Sequence, residues 1–410
     1  MITNDVYEYK IKENIWIKLN PLGYIPSPRA AHAACALKNN HLAIFGGSCS
    51  EGELVPDDLY ILQISTQNNN SFWFKVPNYG KGPGGRYGHS LIYYEPYLFI
   101  IGGNLGINLT NEVHFTIIDD YDFKKPIKWY ILKTKENTPL PSPRVYHSTD
   151  ICKYGKAHNM IILFGGRDRS ENPLNDCWGL RKNGDNTWEW ISASYEEGYK
   201  PKKRFQHTIT FYYNFLIVLG GRKSSDYEQM PIEIFDTSTS KWIGIYNYNI
   251  FRHTAWIYEN FIYIHGGFLL NKEGAKINNV MKKIDLSKIF NALNIKLESI
   301  MIEKPKESEN NNPIELNIDL TKSIKNNDKK DPKEIITLYI KSSDQLLNCK
   351  VLCNINDRFN AIVNKVIEKE PSIIEKVGFF LCNGNKINEY MTIKDNKLED
   401  GNIVLLNIID

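Results

Sequence analysis

The sequence predicts two folding units, a long all-β region built of repeated small sheets and a short α+β domain behind it. Three observations carry this. The chain has 410 residues, about two to three times a typical single domain. Its 24 Tyr, 18 Phe, 8 Trp and 27 Gly favour strands joined by tight turns. Finally, five apolar runs of strand length each end in a glycine pair, at Gly46-Gly47, Gly102-Gly103, Gly165-Gly166, Gly220-Gly221 and Gly266-Gly267.

Each glycine pair sits in a longer repeated unit. Upstream, an Arg is followed three positions later by a His: Arg29 and His32, Arg86 and His89, Arg144 and His147, Arg204 and His207. The fifth copy reads as shortened, with Arg252 directly before His253. Downstream come a second strand and then a Trp, at Trp73, Trp129, Trp190 and Trp242. This Arg, Gly-Gly, Trp order resembles the kelch repeat, over about residues 15–286, and the resemblance implies a β-propeller in which each repeat is one four-stranded blade. Elementary sterics agree. Paired glycines let crowded strands near an axis approach without Cβ clashes, and a Trp fills the wider outer gap between blades.

The fifth copy has no Trp after Met281–Asp285, while Asn14–Leu19 is a Trp strand with no glycine pair before it. Completing the C-terminal blade with this N-terminal strand would close the ring and remove exposed edges. Five blades follow, with six as the alternative if Asp5–Tyr9 and the segment after Leu286 form a degenerate blade. Residues 287–299 carry Ile289, Phe290, Leu293 and Leu297 at helical spacing.

The propeller is expected over residues 1–290, a largely flexible linker over 291–333 and a second domain over 334–410. The linker is polar and charged, with Ile314–Leu320 as a stretch able to dock. Beyond it the pattern reads ββαββ. Ile335–Ile340 and Leu346–Cys353 are strands, Asp357–Glu368 is a helix, and Val377–Leu381 and Asn402–Asn407 are strands around a turn at Asn383-Gly384. With Phe379, Phe380, Ile387, Thr392 and Asp400-Gly401, this order resembles the ubiquitin-like β-grasp fold, nearest its small ubiquitin-like modifier branch. The sequence stops at Ile409-Asp410 without a Gly-Gly tail, so the resemblance implies a fixed domain, not a conjugated tag.

Chemistry is sought on the propeller. Five histidines recur at one repeat position, which spaces them around the ring and favours structural roles. In kelch propellers the motif Arg, or the residue after the glycine pair, can face a shallow basin. Those positions hold Arg29, Arg86, Arg144, Arg204, Arg167, Arg222 and Asn104, a candidate binding set for an acidic or phosphorylated peptide through charge-assisted bonds.

The remaining signals are largely exclusions. A net charge of +3 from 50 basic and 47 acidic residues gives no footprint for nucleic acid or a membrane surface. Seven cysteines without a Cys-x-x-Cys pair indicate reduced thiols, neither disulfides nor a metal site. Nucleotide-loop, zinc-protease and nucleophile-elbow motifs are absent from the sequence, so no catalytic residue, cofactor or metal is assigned and the chain is expected not to be an enzyme. No secretory leader is apparent, which points to the cytoplasm or nucleus. The reading is a non-enzymatic scaffold or adaptor. Its propeller would take a protein ligand, and its C-terminal domain would dock ubiquitin, small-modifier or proteasome pathway proteins. The alternatives are an enzyme with a site at the propeller centre, or a propeller capped by the C-terminal domain.

Overall fold

The computed structural model describes residues 2–49, 52–65, 71–118, 121–185, 187–193, 198–224, 227–295, 314–320, 334–342, 347–369, 379–382, 385–388 and 391–407. The chain divides into two compact units, Met1–Glu303 and Lys304–Asp410.

The first unit is a succession of antiparallel sheets, one per repeat. Blade 1 contains Ala33–Ala36, His41–Phe45, Leu59–Gln63 and Phe72–Val76, with Leu22–Gly23 added in parallel at its outer edge. Blade 2 contains Ser90–Tyr94, Tyr97–Asn104, Leu109–Ile117 and Tyr130–Ile131. Blade 3 runs through Ser148–Ile151, Ile161–Arg167, Pro173–Lys182 and Trp188–Ser192, and blade 4 through Phe205–Tyr212, Phe215–Arg222, Pro231–Asp236 and Lys241–Asn247. Blade 5 has three strands, Thr254–Tyr258, Phe261–His265 and Lys282–Asp285; a smaller sheet of Ile250–Phe251, Phe268–Asn271 and Gly274–Ile277 extends one end of it.

Apolar cores lie between successive blades. Phe45 and Ile61 of blade 1 pack with Leu98 and Trp129 of blade 2; Phe99 and Ile101 meet Leu163 and Trp188. Phe164 and Cys177 meet Val218 and Trp242, and Ile217 and Ile234 meet Ile262 and Ile264. Burying such side chains contributes about 1.5–3 kcal/mol each, so every blade needs its neighbour for its hydrophobic face. The helix Leu286–Ala292, capped by Asp285 accepting from the Lys288 amide, buries Leu286, Ile289 and Phe290 beside Tyr212 and Phe215.

The glycine pairs belong to the blade interfaces. A Cβ on Gly46, at φ +66°, would lie 2.4 Å from the Arg86 carbonyl oxygen and 2.6 Å from the His89 ring, so only glycine admits the next blade there. The second glycine ties the same blades by a hydrogen bond, Gly47 amide to Arg86 carbonyl at 2.8 Å, repeated at Gly103 to Arg144 and Gly166 to Arg204.

Two expectations are corrected. Ile15–Leu19 does not complete blade 5; it pairs antiparallel with Val6–Lys10 in a separate two-stranded sheet. Nor is the fifth repeat shortened. Ile250 stands three residues before His253 and presents its carbonyl to Gly220 as Arg86 does to Gly46, so an Ile has replaced the Arg.

The second unit has one sheet, ordered Ile314–Asp319, Leu347–Asn354, Ile335–Ser342, Ile403–Asn407, Phe379–Cys382 and Asn385–Lys386. Ile335–Ser342 is antiparallel to Leu347–Asn354 and parallel to Ile403–Asn407. The helix Phe359–Lys369 places Phe359 and Ile362 in a core with Leu338, Ile340, Cys349, Val351 and Val404. Ile314–Asp319, inside the expected linker, is an edge strand parallel to Leu347–Asn354 that buries Ile318. The turn expected at Asn383-Gly384 lies outside the described residues.

Candidate functional site

Each blade presents the same construction at one end. The residue after the glycine pair bridges to the residue after the motif position: Ser48 with Ala30, Asn104 with Tyr87, Arg167 with Val145, Arg222 with Phe205, Phe268 with Phe251. The next residue along, Ala31, Gly88, Tyr146, Gln206 or Arg252, adopts a left-handed backbone. Their amides form a chain from blade to blade, Gly88 donating to Ala31, Tyr146 to Gly88, Gln206 to Tyr146 and Arg252 to Gln206, at 2.7–3.0 Å. Equivalent side chains are thereby brought to one face.

The motif arginines do not reach it. Arg86, Arg144 and Arg204 are at most 1% exposed and Arg29 is 7% exposed. Their Nη1 groups donate to the first glycine carbonyl of their own blade, at Gly46, Gly102, Gly165 and Gly220, over 2.8–3.1 Å. Each Nε donates to the carbonyl two residues upstream. Arg144 also grips Asp176 through two 2.7 Å bonds, and Arg204 meets buried Glu233 at 2.7 Å. Burial pushes Arg86 down to about 10. These four arginines are internal staples and not part of the bridging face: their donors are spent on backbone carbonyls and, for Arg144 and Arg204, on the carboxylates of partly exposed Asp176 and buried Glu233.

Arg167, Arg222 and Asn104 do lie in the bridging positions. Arg222 sits over two rings, 5.2 Å from Phe205 and 4.6 Å from Phe251, and its Nε donates to Gln206 at 3.0 Å. Arg167 also lies against the Phe205 ring, at 5.5 Å. Cation–π stacking holds both guanidinium planes without using up their forks. Burial, then the like charges of Arg252 and Arg167, hold Arg222 below the usual arginine range. Arg252, exposed beside them, was missed as a site residue; counting back from His253 instead of forward from the Arg would have found it. Glu171, 76% exposed, is the acidic partner near Arg167, at 3.3 Å. Asn104 serves the loop and the neighbouring ring instead. Its Nδ2 donates to the Tyr87 hydroxyl at 2.8 Å and its Oδ1 accepts from the Gly106 amide. Tyr87 continues to Tyr146, 5.9 Å between rings, and Tyr146 to Phe205 at 6.4 Å. The face is an aromatic run carrying three arginines at one end.

The repeat histidines act between blades. His89, His147, His207 and His253 are buried, their rings against the first glycine of the preceding blade. Burial holds all four below the usual histidine range, His147 and His253 down to about 3, so they are neutral. Among the described residues no group of three or more His, Cys, Asp or Glu side chains is placed to hold a metal ion. A cavity of about 250 Å³ lies elsewhere, on blade 2 around Tyr121, Phe123, Lys125 and Tyr130, and touches none of the face residues.

Repeated four-stranded sheets, packed through glycine pairs and an outer Trp, define a β-propeller repeat protein. More specifically, the chain belongs to the Kelch-repeat family: the family model described as the KLHDC2/KLHL20/DRC7 Kelch-repeats domain matches residues 1–149 and 121–288. Among curated relatives, a serine/threonine-protein phosphatase, BSL2, of Arabidopsis thaliana is 32% identical over 58% of this chain and 22% of its own length. An F-box/kelch-repeat protein of the same plant is 29% identical over 54% of this chain and 45% of its own. Host cell factor 2 of Homo sapiens is 29% identical over 54% of this chain and 28% of its own. The chain thus spans less than half the length of these relatives.

The phosphatase relative corrects one expectation. Sequence motifs pointed away from an enzyme, yet a protein named for an enzymatic activity shares 32% identity with this chain. Kinship of this kind does not separate the chain from enzymes. Among the described residues no helix is long and apolar enough to cross a membrane.

Proposed function

We propose that the first unit binds a protein ligand through the face carrying Arg167, Arg222 and Arg252, and that the ligand is an acidic or phosphorylated peptide. The observation behind this is the stacking of Arg167 and Arg222 on Phe205 and Phe251, with the like charge of Arg252 beside Arg222 and, among the described residues, the exposed Glu171 near Arg167. Arginine held by ring stacking keeps N–H donors free for bidentate bonds to carboxylate or phosphate. Asn104, Tyr87 and Tyr146 extend the surface along which a peptide would lie. Kelch-repeat proteins generally act in protein–protein interaction, which supports a binding role.

The second unit is read as a ubiquitin-like domain that docks a further protein of the ubiquitin, small-modifier or proteasome machinery, making the whole chain an adaptor. Support comes from its strand order, with Ile335–Ser342 parallel to and neighbouring the last strand Ile403–Asn407, a helix after Leu347–Asn354, and Asp400 bonded through Oδ1 to the Thr337 amide at 2.6 Å.

The test is fluorescence anisotropy with a labelled octaglutamate peptide and a phosphoserine peptide against the full chain. Saturable binding that weakens about tenfold or more in Arg222→Ala or Arg252→Ala is expected. Equal affinity of both variants and the native chain for these probes rules the face out as the binding site.

A further inference from the structure

The repeated contacts between blades make a gap in the series visible. Blade Trp side chains rest on the preceding blade: Trp129 lies 5.8 Å from Phe45 and Trp242 lies 5.1 Å from Phe164, each ring standing immediately before a glycine pair. Trp16 does the same, 4.5 Å from His265, the residue before Gly266. Ile15–Leu19 is therefore the outer strand of a blade following blade 5, and Val6–Lys10 is its neighbour. The other side of this pair reaches blade 1, where Val6 packs on Ile44, Leu62 and Trp73 and the Asn4 side-chain Nδ2 donates to the Pro26 carbonyl at 3.1 Å.

Among the described residues the pair has no inner half. Gly46, Gly102, Gly165 and Gly220 each crowd a carbonyl of the next blade, at 2.2–3.2 Å from where a Cβ would stand, but among the described residues no atom of another blade comes within 4 Å of that position at Gly266. The chain of left-handed residues also stops here: among the described residues neither the Arg252 carbonyl nor the Ala31 amide has a backbone partner. On the blade 1 side His32 is exposed, whereas His89, His147, His207 and His253 are buried. Ala34 and Ala36, alternating with the core-facing Ala33 and Cys35, are exposed as well.

We propose that this opening between blades 5 and 1 is a docking slot for an extended apolar strand ending in a glycine pair, supplied by a partner protein. The built interfaces specify that chemistry. In each, the first glycine lies under the next blade's His ring, Cε1 2.6–2.9 Å from a Cβ position; a strand entering beside His32 meets the same ring and needs the same residue. The free edge of Val6–Lys10 offers the backbone groups for strand addition. The five strand-plus-glycine-pair segments of this sequence are each already placed in a blade, so neither these nor their counterparts in a second copy are free to enter the slot.

The probe is a fluorescein-labelled peptide copying residues 97–104, flanked by lysines for solubility, titrated into the full chain. Saturable binding is expected, weakened at least about tenfold by replacing both peptide glycines with valine, and to the same extent by Ala34→Trp in the protein. Ala34→Trp should leave the melting temperature and octaglutamate binding unchanged, which separates this slot from the arginine face. The proposal is overturned by absence of saturation up to ~1 mM, by indifference to the valine peptide, or by indifference to Ala34→Trp. A dimer on sizing that Ala34→Trp returns to monomer assigns the slot to a second copy and likewise overturns it.

Discussion

Arg204 donates from Nη2 to the Glu233 carboxylate at 2.7 Å, and both side chains are fully buried. Glu233 also accepts from the Tyr199 hydroxyl at 2.7 Å and the Lys202 amide at 2.8 Å. The pair thus links the Lys200–Arg204 approach segment to the third strand of blade 4. Arg204→Ala strands a buried carboxylate and is expected to cost about 3–5 kcal/mol, read by urea unfolding. The double variant Arg204→Met with Glu233→Leu should recover more than half of that, since removing both charges removes the desolvation cost. A double variant no more stable than Arg204→Ala contradicts this reading of the pair.

Gly220 and Gly266 have nearly equal backbone angles, φ +65° and φ +70°, and opposite surroundings. Gly220→Ala puts a methyl 2.2 Å from the Ile250 carbonyl and should destabilise by more than about 3 kcal/mol. Gly266→Ala meets open space and should cost only the left-handed backbone term, about 1–2 kcal/mol. Equal losses in thermal melting would show that the backbone angle, not blade contact, sets the need for glycine.

Acid should unfold the first unit. His89, His147, His207 and His253 are held below the ordinary histidine range when folded. Unfolding therefore takes up protons below about pH 6.5, and the stability these groups contribute is present above that pH and lost as pH falls. Asp150, raised by burial to about 6, and Glu233, raised by burial, act in the opposite sense, favouring the folded state on protonation. With the histidines outnumbering the two carboxylates, stability should fall by at least about 2 kcal/mol per pH unit between pH 6 and 4. A flat profile across that interval contradicts neutral, buried histidines.

In the second unit, Ile318 is 6% exposed in a strand contributed by the segment that composition alone marks as linker. Ile318→Asp places a charge against Val351 and its neighbours and should lower the unit's stability by about 3 kcal/mol or detach the strand, raising amide exchange along Leu347–Asn354. Unchanged exchange would show that the strand contributes no protection.

The repeat was legible because its signals are local and recur: glycine pairs, an Arg three before a His, a Trp strand. What those residues touch was not. Spacing shows Arg144 beside every other motif Arg, but not that its fork closes on Gly165 and Asp176. The fifth copy misled because an Arg stands at 252, and only the His253 register reveals Ile250 in the motif position. Trp190 was the expected outer Trp, yet Trp188 makes the 5.2 Å contact with Phe99, a two-residue shift within one strand that leaves the pattern unchanged. Strand partners of Ile15–Leu19 depend on contacts far along the chain, which periodicity cannot encode.

In the proposed function, ligand capture falls to Arg222 and Arg252 and not to the motif arginines. Octaglutamate titrated calorimetrically into Arg222→Ala/Arg252→Ala and into Arg29→Ala, each at a temperature where it is folded, tests this directly. Binding at least about tenfold weaker is predicted in the first variant and native affinity in the second; the reverse ranking, or equal affinities throughout, contradicts the assignment.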